Sequence, residues 1–249
     1  MSRPSLVLLH GWGMHGGIWG EFAERLAVDF ELHCLDLPGY GGSADCACHD
    51  LEGVTQAMLD LMPARVHVLG WSMGGMVATR IAALAPQRVE KLVLIGSSPR
   101  FCQEEGWQDA MAPAILDAFE AQIRGNPQAT LNRFLAVQAM GGEDARAQTA
   151  LLKRYLLERP LPSDETLRAG LGILRAGDVR PLLAEVRQPV SLIYGEQDTV
   201  VPIGAGRYLA GGLPDARLHI MPGCAHAPFL TRPGEVAGLV REFLLAAAI

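Results

Sequence analysis

The stretch VHVLGWSMGG, residues 66–75, places one serine, Ser72, between glycines and directly after an apolar run. Residues 66–69 have the composition of a buried strand, and residues 73–85 predict a helix that ends at Pro86. A Gly-x-Ser-x-Gly motif between a strand and a helix is typical of a nucleophile elbow, a sharp turn that presents the serine side chain. Glycines flank such a serine because neighbouring backbone comes too close for a β-carbon. The alternative is a serine that only caps a helix in a glycine-rich turn.

Short apolar runs recur along the chain, each followed by a glycine or proline turn and then by a helical pattern. This alternation predicts an α/β protein with a mostly parallel, six-stranded sheet and helices on both faces. The six predicted strands are residues 6–9, 30–35, 66–69, 92–95, 190–194 and 218–221.

The interval between the fourth and fifth predicted strands has a different pattern. Between residues 100 and 186 the apolar residues recur at helical spacing, which predicts about four helices. Two helix starts are marked, one by Asn126 before a proline and one by Ser163 before two acidic residues. We therefore predict a core formed by residues 1–99 and 187–249, with a helical lid inserted at residues 100–186.

Composition limits the classes of protein to which the chain can belong. With 249 residues and 49% hydrophobic content, the chain is long enough for one sizeable core. The net charge of -6 argues against nucleic-acid binding, which needs a basic surface. No apolar run approaches the roughly 20 residues of a membrane span, and residues 6–9 are too few for a signal-peptide core. We expect a cytoplasmic monomer that binds neither nucleic acid nor membrane.

The five cysteines are odd in number and scattered, which favours reduced thiols over a disulfide framework. The cluster of Cys46, Cys48 and His49 lacks the second ligand pair that a metal site of this kind requires. We therefore predict neither a metal site nor a cofactor.

A serine is a weak nucleophile unless a base and an orienting acid lie nearby. His226 is the preferred base because it follows the last predicted strand, at the sheet edge where Ser72 emerges. Asp198 is the preferred acid because it follows the strand at residues 190–194, and Glu196 is the alternative. The other histidines fall inside predicted strands or in loops where packing or solvation accounts for them, namely His33, His67, His219, His15 and His49.

An oxyanion needs two backbone donors, one after the nucleophile and one from the loop after the first core strand. In this chain those donors are the amides of Met73 and Trp12. We expect His10 to brace the loop by hydrogen bonds. The turn-rich residues 36–43 form a scaffold at the rim, because no lysine follows their glycines as in a phosphate-binding loop.

These motifs resemble the α/β-hydrolase family, in which the triad follows the order Ser, Asp, His. The resemblance covers essentially the whole chain. Closer still, the chain resembles the BioH family of pimeloyl-[acyl-carrier protein] methyl ester esterases, which act in biotin synthesis. The matching segments are residues 10–14, 70–75, 97–101, 133–138 and 225–229.

The resemblance implies a serine carboxylesterase that releases methanol from the methyl ester of a pimeloyl chain carried by an acyl-carrier protein. Ser72, His226 and Asp198 would be its catalytic triad. The implied substrate contacts are Trp12, Ser72, Met73, Phe134, Leu135, Ala136, Val137, Gln138 and His226. Packing within the lid is the alternative role for Phe134 and Leu135, since apolar residues at helical spacing usually form a core.

The chain also departs from the family pattern. The family usually begins with a strand hairpin before the first core strand, and we expect this sheet to lack it and to have residues 30–35 as an edge. Arg133 and Arg146 match lid arginines that are implied to contact the acidic carrier protein, but Ala129 and Ala150 replace two others.

Two alternatives to this function remain open. A broad-specificity short-chain carboxylesterase or a carbon-carbon bond hydrolase would share every residue of the triad. A catalytically idle scaffold of the same fold would instead bind a ligand or a protein.

Overall fold

The computed structural model describes residues 3–46 and 48–246. Its six strands form one sheet in the order β2-β1-β3-β4-β5-β6, and every pair of neighbours is parallel. The predicted six-stranded sheet is therefore confirmed, and β2 lies at an edge as expected. The strands are β1 (Ser5–Leu9), β2 (Glu31–Leu35), β3 (Val66–Trp71), β4 (Val89–Ile95), β5 (Val190–Gly195) and β6 (Ala216–Met221).

Helices connect the strands and cover the sheet. The α-helices are α1 (Gly20–Leu26), α2 (Leu51–Leu61), α3 (Met73–Leu84), α4 (Pro113–Ile123), α5 (Pro127–Ala139), α6 (Ala145–Leu156), α7 (Asp164–Ala176), α8 (Ile203–Gly212), α9 (Pro228–Thr231) and α10 (Pro233–Leu245). Short 3-10 helices span Gly16–Trp19, Gly41–Ser43, Pro86–Arg88 and Arg180–Glu185. Helix α3 packs on β1, β3 and β4 with α2 beside it, while α1 packs against α10. Among the described residues, no helix has the length and apolarity needed to cross a bilayer.

The contact between β3 and α3 is unusually close because glycines form it. A β-carbon on Gly74 would lie 2.2 Å from the carbonyl oxygen of Leu9, and one on Gly70 would lie 2.5 Å from the carbonyl oxygen of Gly74. All six residues of β3 are buried. The glycines therefore let α3 begin directly on the carboxyl end of the central strands.

Four of the helices, α4 to α7, follow β4 and precede β5. Asn126 caps α5 by accepting a hydrogen bond from the Ala129 amide (2.9 Å), and Ser163 caps α7 by accepting one from the Thr166 amide (3.1 Å). Both helix starts predicted from the sequence are thus present. The segment that leaves β4 and the segment that returns to β5 are hydrogen-bonded to each other, since the Val179 amide donates to the Pro99 carbonyl at 2.8 Å.

Helices α5 and α7 both contact the aromatic ring of Trp12, which lies in the loop after β1. The ring meets Phe134 of α5 edge-on, with centroids 4.8 Å apart, and its Nε1–H donates to the Leu167 carbonyl of α7 at 3.0 Å. Gly170 of α7 leaves the space for this ring, since a β-carbon there would lie 2.3 Å from Trp12 Cδ1. One core side chain therefore sets the positions of α5 and α7 over the sheet.

Two glycines of α7 provide a matched test of this packing. Ala at Gly172, where a β-carbon would meet no atom within 4 Å, should raise the free energy of unfolding by about 0.5–1 kcal/mol, because Gly is a poor helix former. Ala at Gly170 should lower it by about 1–3 kcal/mol because the added carbon displaces Trp12. Urea unfolding of both variants measures the difference. Equal effects would show that Gly170 is not required for the packing of Trp12.

Candidate active site

Ser72 lies on a strained turn between β3 and α3. Its backbone angles are φ 55° and ψ -123°, and it is the only non-glycine residue with positive φ in the described ranges. Such a conformation costs on the order of 1–3 kcal/mol and persists only where the surroundings impose it. The Ser72 amide donates to the Ile95 carbonyl at 3.0 Å, and the Ser97 hydroxyl donates to the Ser72 carbonyl at 3.0 Å. The nucleophile elbow predicted from residues 66–75 is therefore formed and held on both sides.

His226 and Asp198 form a buried pair at the same edge of the sheet. His226 Nδ1 donates to Asp198 Oδ2 at 2.8 Å, and both side chains have 0% exposure. The other carboxylate oxygen, Oδ1, accepts from the amides of Val200 (2.9 Å) and Val201 (2.8 Å). Three donors thus fix the carboxylate, and the carboxylate fixes the tautomer of the imidazole.

The Nδ1–H tautomer leaves Nε2 of His226 as a proton acceptor. Nε2 is buried and has no hydrogen-bond partner in the described part of the chain. Trp71, the residue before Ser72, packs on the imidazole with ring centroids 5.5 Å apart. The imidazole is therefore held against the residue that precedes Ser72, and its role as general base stays a prediction.

Glu196, the alternative acid, lies elsewhere. Its carboxylate is exposed and its Oε2 accepts from the Gly223 amide at 3.3 Å. The structure pairs His226 with Asp198, which decides between the two carboxylates that the sequence leaves open.

The amides of Trp12 and Met73 lie in segments next to Ser72, and their oxyanion-hole role stays a prediction. Met73 is the first residue of α3, and the Trp12 loop follows β1, where a β-carbon on Gly11 would lie 3.1 Å from Ser72 Cβ. Neither amide donates to a protein acceptor within residues 3–46 and 48–246. Both donors are thus available near Ser72, and the positive end of the α3 dipole adds to their effect on an anion.

His10 braces the Trp12 loop. Its Nδ1–H donates to the Gly11 carbonyl at 2.8 Å, and its Nε2 accepts from the Leu37 amide at 3.0 Å. Burial lowers the pKa of His10 to about 4, so the ring is neutral and can accept through Nε2. Nearby, Asp36 accepts from the amides of Gly16 (2.6 Å) and Gly42 (2.7 Å), which fits a scaffold at the rim.

The predicted substrate-contacting residues of α5 do not share one environment. Phe134, Leu135 and Gln138 are buried, Val137 is half-buried and Ala136 is exposed. The Gln138 carbonyl accepts from the His226 amide at 3.1 Å, which ties α5 to the loop that carries the base. Contact of these five residues with a substrate stays a prediction.

Sequence reasoning missed the residues whose hydrogen bonds fix Ser72, His226 and Asp198 in place. Ser97 and Trp71 lie within motifs, but neither motif shows which backbone group the side chain binds. The amides of Val200 and Val201 carry no sequence signal at all. No group of three or more His, Cys, Asp or Glu side chains is arranged to hold a metal ion among the residues that the structure describes.

Comparison with known proteins agrees with this geometry. The family model described as alpha/beta hydrolase fold matches residues 4–233. The chain belongs to the α/β-hydrolase family. This α/β hydrolase is 44% identical over 234 residues to the pimeloyl-[acyl-carrier protein] methyl ester esterase of Nitrosomonas europaea, covering 94% of this chain and 93% of that protein. It is 42% identical over 240 residues to the protein of the same name from Vibrio parahaemolyticus, covering 96% and 94%.

Solved structures of other α/β hydrolases have the same fold. The esterase EaEST of Exiguobacterium antarcticum superimposes with a TM-score of 0.86 at 22% identity, covering 98% of this chain and 93% of that one. The esterase RhEst1 of Rhodococcus sp. gives a TM-score of 0.81 at 27% identity, covering 99% and 92%. The fold predicted from the sequence is therefore confirmed.

His10 gives the stability of the protein a pH dependence. Its pKa is about 4 in the folded protein, against the ordinary value of 6.5. Its contribution to stability is therefore full above about pH 6.5 and is lost as the pH falls towards 4, since only the unfolded chain takes up the proton in that range. Asparagine does not titrate. Between pH 7 and pH 5, the free energy of unfolding should therefore fall by about 2 kcal/mol less in His10→Asn than in the wild type. Urea unfolding at both pH values measures this, and equal losses would contradict it.

Proposed function

We propose that the protein is a serine carboxylesterase in which Ser72 is the nucleophile, His226 the general base and Asp198 the orienting acid. The observation that carries the proposal is the buried His226–Asp198 pair (2.8 Å), whose Nε2 is unpartnered beside the strained elbow. Packing alone does not account for a strained serine, because the strain costs stability, and an unpartnered Nε2 is free to accept a proton.

The reaction takes place in two halves. Ser72 Oγ attacks the ester carbonyl carbon while His226 Nε2 accepts its proton, and the amides of Trp12 and Met73 stabilise the oxyanion. The same proton then passes to the departing methoxide, so that methanol leaves and an acyl-Ser72 ester remains. In the second half, His226 takes a proton from water, the hydroxide attacks the acyl carbon, and Ser72 recovers the proton as the free acid leaves.

The proposed substrate is the methyl ester of a pimeloyl chain on an acyl-carrier protein. Its support is the name of the relatives at 44% and 42% identity, which align with this chain over nearly their whole length. Trp12, Phe119 and Phe134 form a buried aromatic cluster at the junction of sheet and helices, in which Phe134 meets the other two rings edge to face. An aliphatic chain that reached this cluster would meet an apolar lining. Ser72 is only 4% exposed, so bulk water is largely excluded from the reacting atoms.

The proposed contact with the carrier protein uses Arg133 of α5 and Arg146 of α6. Both side chains are exposed, and Arg146 lies with Lys153 along one groove of α6. The guanidinium of Arg133 lies over the ring of Phe119, 6.0 Å from its centroid, and the residue is exposed to solvent. The overall charge of -6 would repel an acidic partner. At physiological salt, charges more than about 8 Å from the docked partner are largely screened, so the basic surface of these helices outweighs the distant acidic residues.

Ser72→Ala is expected to lower kcat/KM for a methyl ester by about 10³-fold or more, because the nucleophile is lost. A fluorophosphonate that reacts with activated serines should label the wild type and leave this variant unlabelled. Ser191→Ala is the matched control, since Ser191 of β5 is also buried and its hydroxyl has no partner within the described residues. Hydrolysis by folded Ser72→Ala within tenfold of the wild type would show that another group is the nucleophile.

The double variant Arg133→Glu/Arg146→Glu is expected to lower kcat/KM at least tenfold more for a carrier-linked methyl ester than for a small soluble ester. The same four-unit charge change at Arg187 and Arg207, exposed residues of the core, is the control. Rates on the carrier-linked ester should also fall with added salt in the wild type. Equal effects of both double variants on both substrates would contradict docking through these helices and favour the broad-specificity esterase.

A further inference from the structure

His226 lies in the loop between β6 and α9, so regular secondary structure does not hold it. Its main chain is instead bound at both polar groups. The amide donates to the Gln138 carbonyl at 3.1 Å, and the carbonyl accepts from the indole Nε1–H of Trp71 at 3.0 Å. With the bond from Nδ1 to Asp198, three separate elements fix one residue.

The bond from Trp71 differs from the other two in what it connects. Trp71 is the last residue of β3 and is joined by a peptide bond to Ser72. The Trp71 side chain and its hydrogen bond thus form a short path from Ser72 to His226. The length of this path sets the separation of the nucleophile and the base. The paths through Gln138 and Asp198 run through α5 and through the loop after β5, so they fix the imidazole relative to other parts of the molecule.

Trp71 is also part of an aromatic cluster, so packing is the competing explanation for it. Its ring meets Phe229 with centroids 5.3 Å apart, and it has 0% exposure. Trp19 meets the same Phe229 at 4.9 Å and has 1% exposure. The Nε1 of Trp19 has no hydrogen-bond partner in the described part of the chain. The two tryptophans thus share a packing partner, but only Trp71 also packs on the His226 imidazole, and only its indole N–H has an acceptor among the described residues.

We propose that Trp71 is a positioning residue for the general base, and that its indole N–H, by binding the His226 carbonyl, sets the distance between His226 Nε2 and Ser72. This inference rests on the proposed esterase function. Removal of the N–H leaves a buried carbonyl without a donor, so the loop moves to find another one. A displacement of about 1 Å between reacting groups can cost on the order of 10²-fold in rate.

The experiment compares Trp71→Phe with Trp19→Phe, using hydrolysis of a small soluble methyl ester. Trp71→Phe should lower kcat about 10- to 100-fold with KM within about twofold of the wild type, because the base moves and the binding surface does not. Its rate of reaction with a fluorophosphonate should fall by a similar factor. Trp19→Phe should keep kcat within about twofold, although both variants lose aromatic packing and have a lower Tm.

A second substitution separates the hydrogen bond from the ring itself. β-(3-Benzothienyl)alanine in place of Trp71 keeps the bicyclic shape and replaces the N–H by sulfur. This variant should therefore fold even if Trp71→Phe fails to fold. The proposal requires this variant to lose kcat as Trp71→Phe does. Retention of wild-type kcat by it, or equal loss of kcat in Trp71→Phe and Trp19→Phe, would overturn the proposal.

These outcomes are distinct from a failure of the proposed function. If the wild type neither hydrolyses the ester nor reacts with the phosphonate at Ser72, the esterase assignment fails and the role of Trp71 fails with it. If the wild type reacts and the variants do not differ as stated, only the positioning role is overturned.

Discussion

The backbone conformation of Ser72 is the constraint on which the site depends. A residue with a β-carbon occupies φ 55° only when its surroundings prevent relaxation. The glycines at positions 70 and 74 allow β3 and α3 to approach closely enough to do so. Because β3 lies between β1 and β4, both neighbouring strands end beside the turn. The loop after β1 supplies the Trp12 amide, and the loop after β4 supplies the Ser97 hydroxyl.

The helices inserted between β4 and β5 take part in the site itself. The Gln138 carbonyl at the end of α5 accepts from the His226 amide at 3.1 Å and from the Gln148 side chain of α6 at 3.2 Å. A shift of α5 relative to the sheet would therefore move the loop that carries the base. The position of these helices and the position of His226 are coupled through one buried carbonyl, whose loss of a donor would cost about 1–3 kcal/mol.

The buried polar groups near His226 confine the negative charge to the Asp198 carboxylate. Asp198 accepts three hydrogen bonds, so its carboxylate cannot rotate. It lies next to the His226 imidazole, whose protonated form it would stabilise. Burial raises the pKa of Tyr194, so its hydroxyl stays protonated and donates to the Ser97 carbonyl at 2.5 Å. A neutral, hydrogen-bonded surrounding lets the field of the Asp198 carboxylate act on His226 with little screening.

The sequence by itself determined the features that depend on local chemistry. The six strands follow from apolar runs and their turn residues, and the helix starts at Asn126 and Ser163 follow from capping residues, so both could be expected. The elbow follows from sterics within five residues, since only glycine fits at positions 70 and 74. The strand bounds were less exact: β2 begins at Glu31, one residue after the predicted start, and β4 begins at Val89, three residues before it.

Tertiary structure decided what depends on distant groups meeting. Glu196 and Asp198 are two residues apart and chemically alike, so only the path of the loop determines which one reaches His226. The Trp71 indole binds a carbonyl 155 residues away, and Gly170 is needed because the Trp12 ring and the Tyr40 hydroxyl lie against it. Periodicity and composition describe neighbours along the chain. The partners of a side chain across the core are set by packing, which no short stretch of sequence encodes.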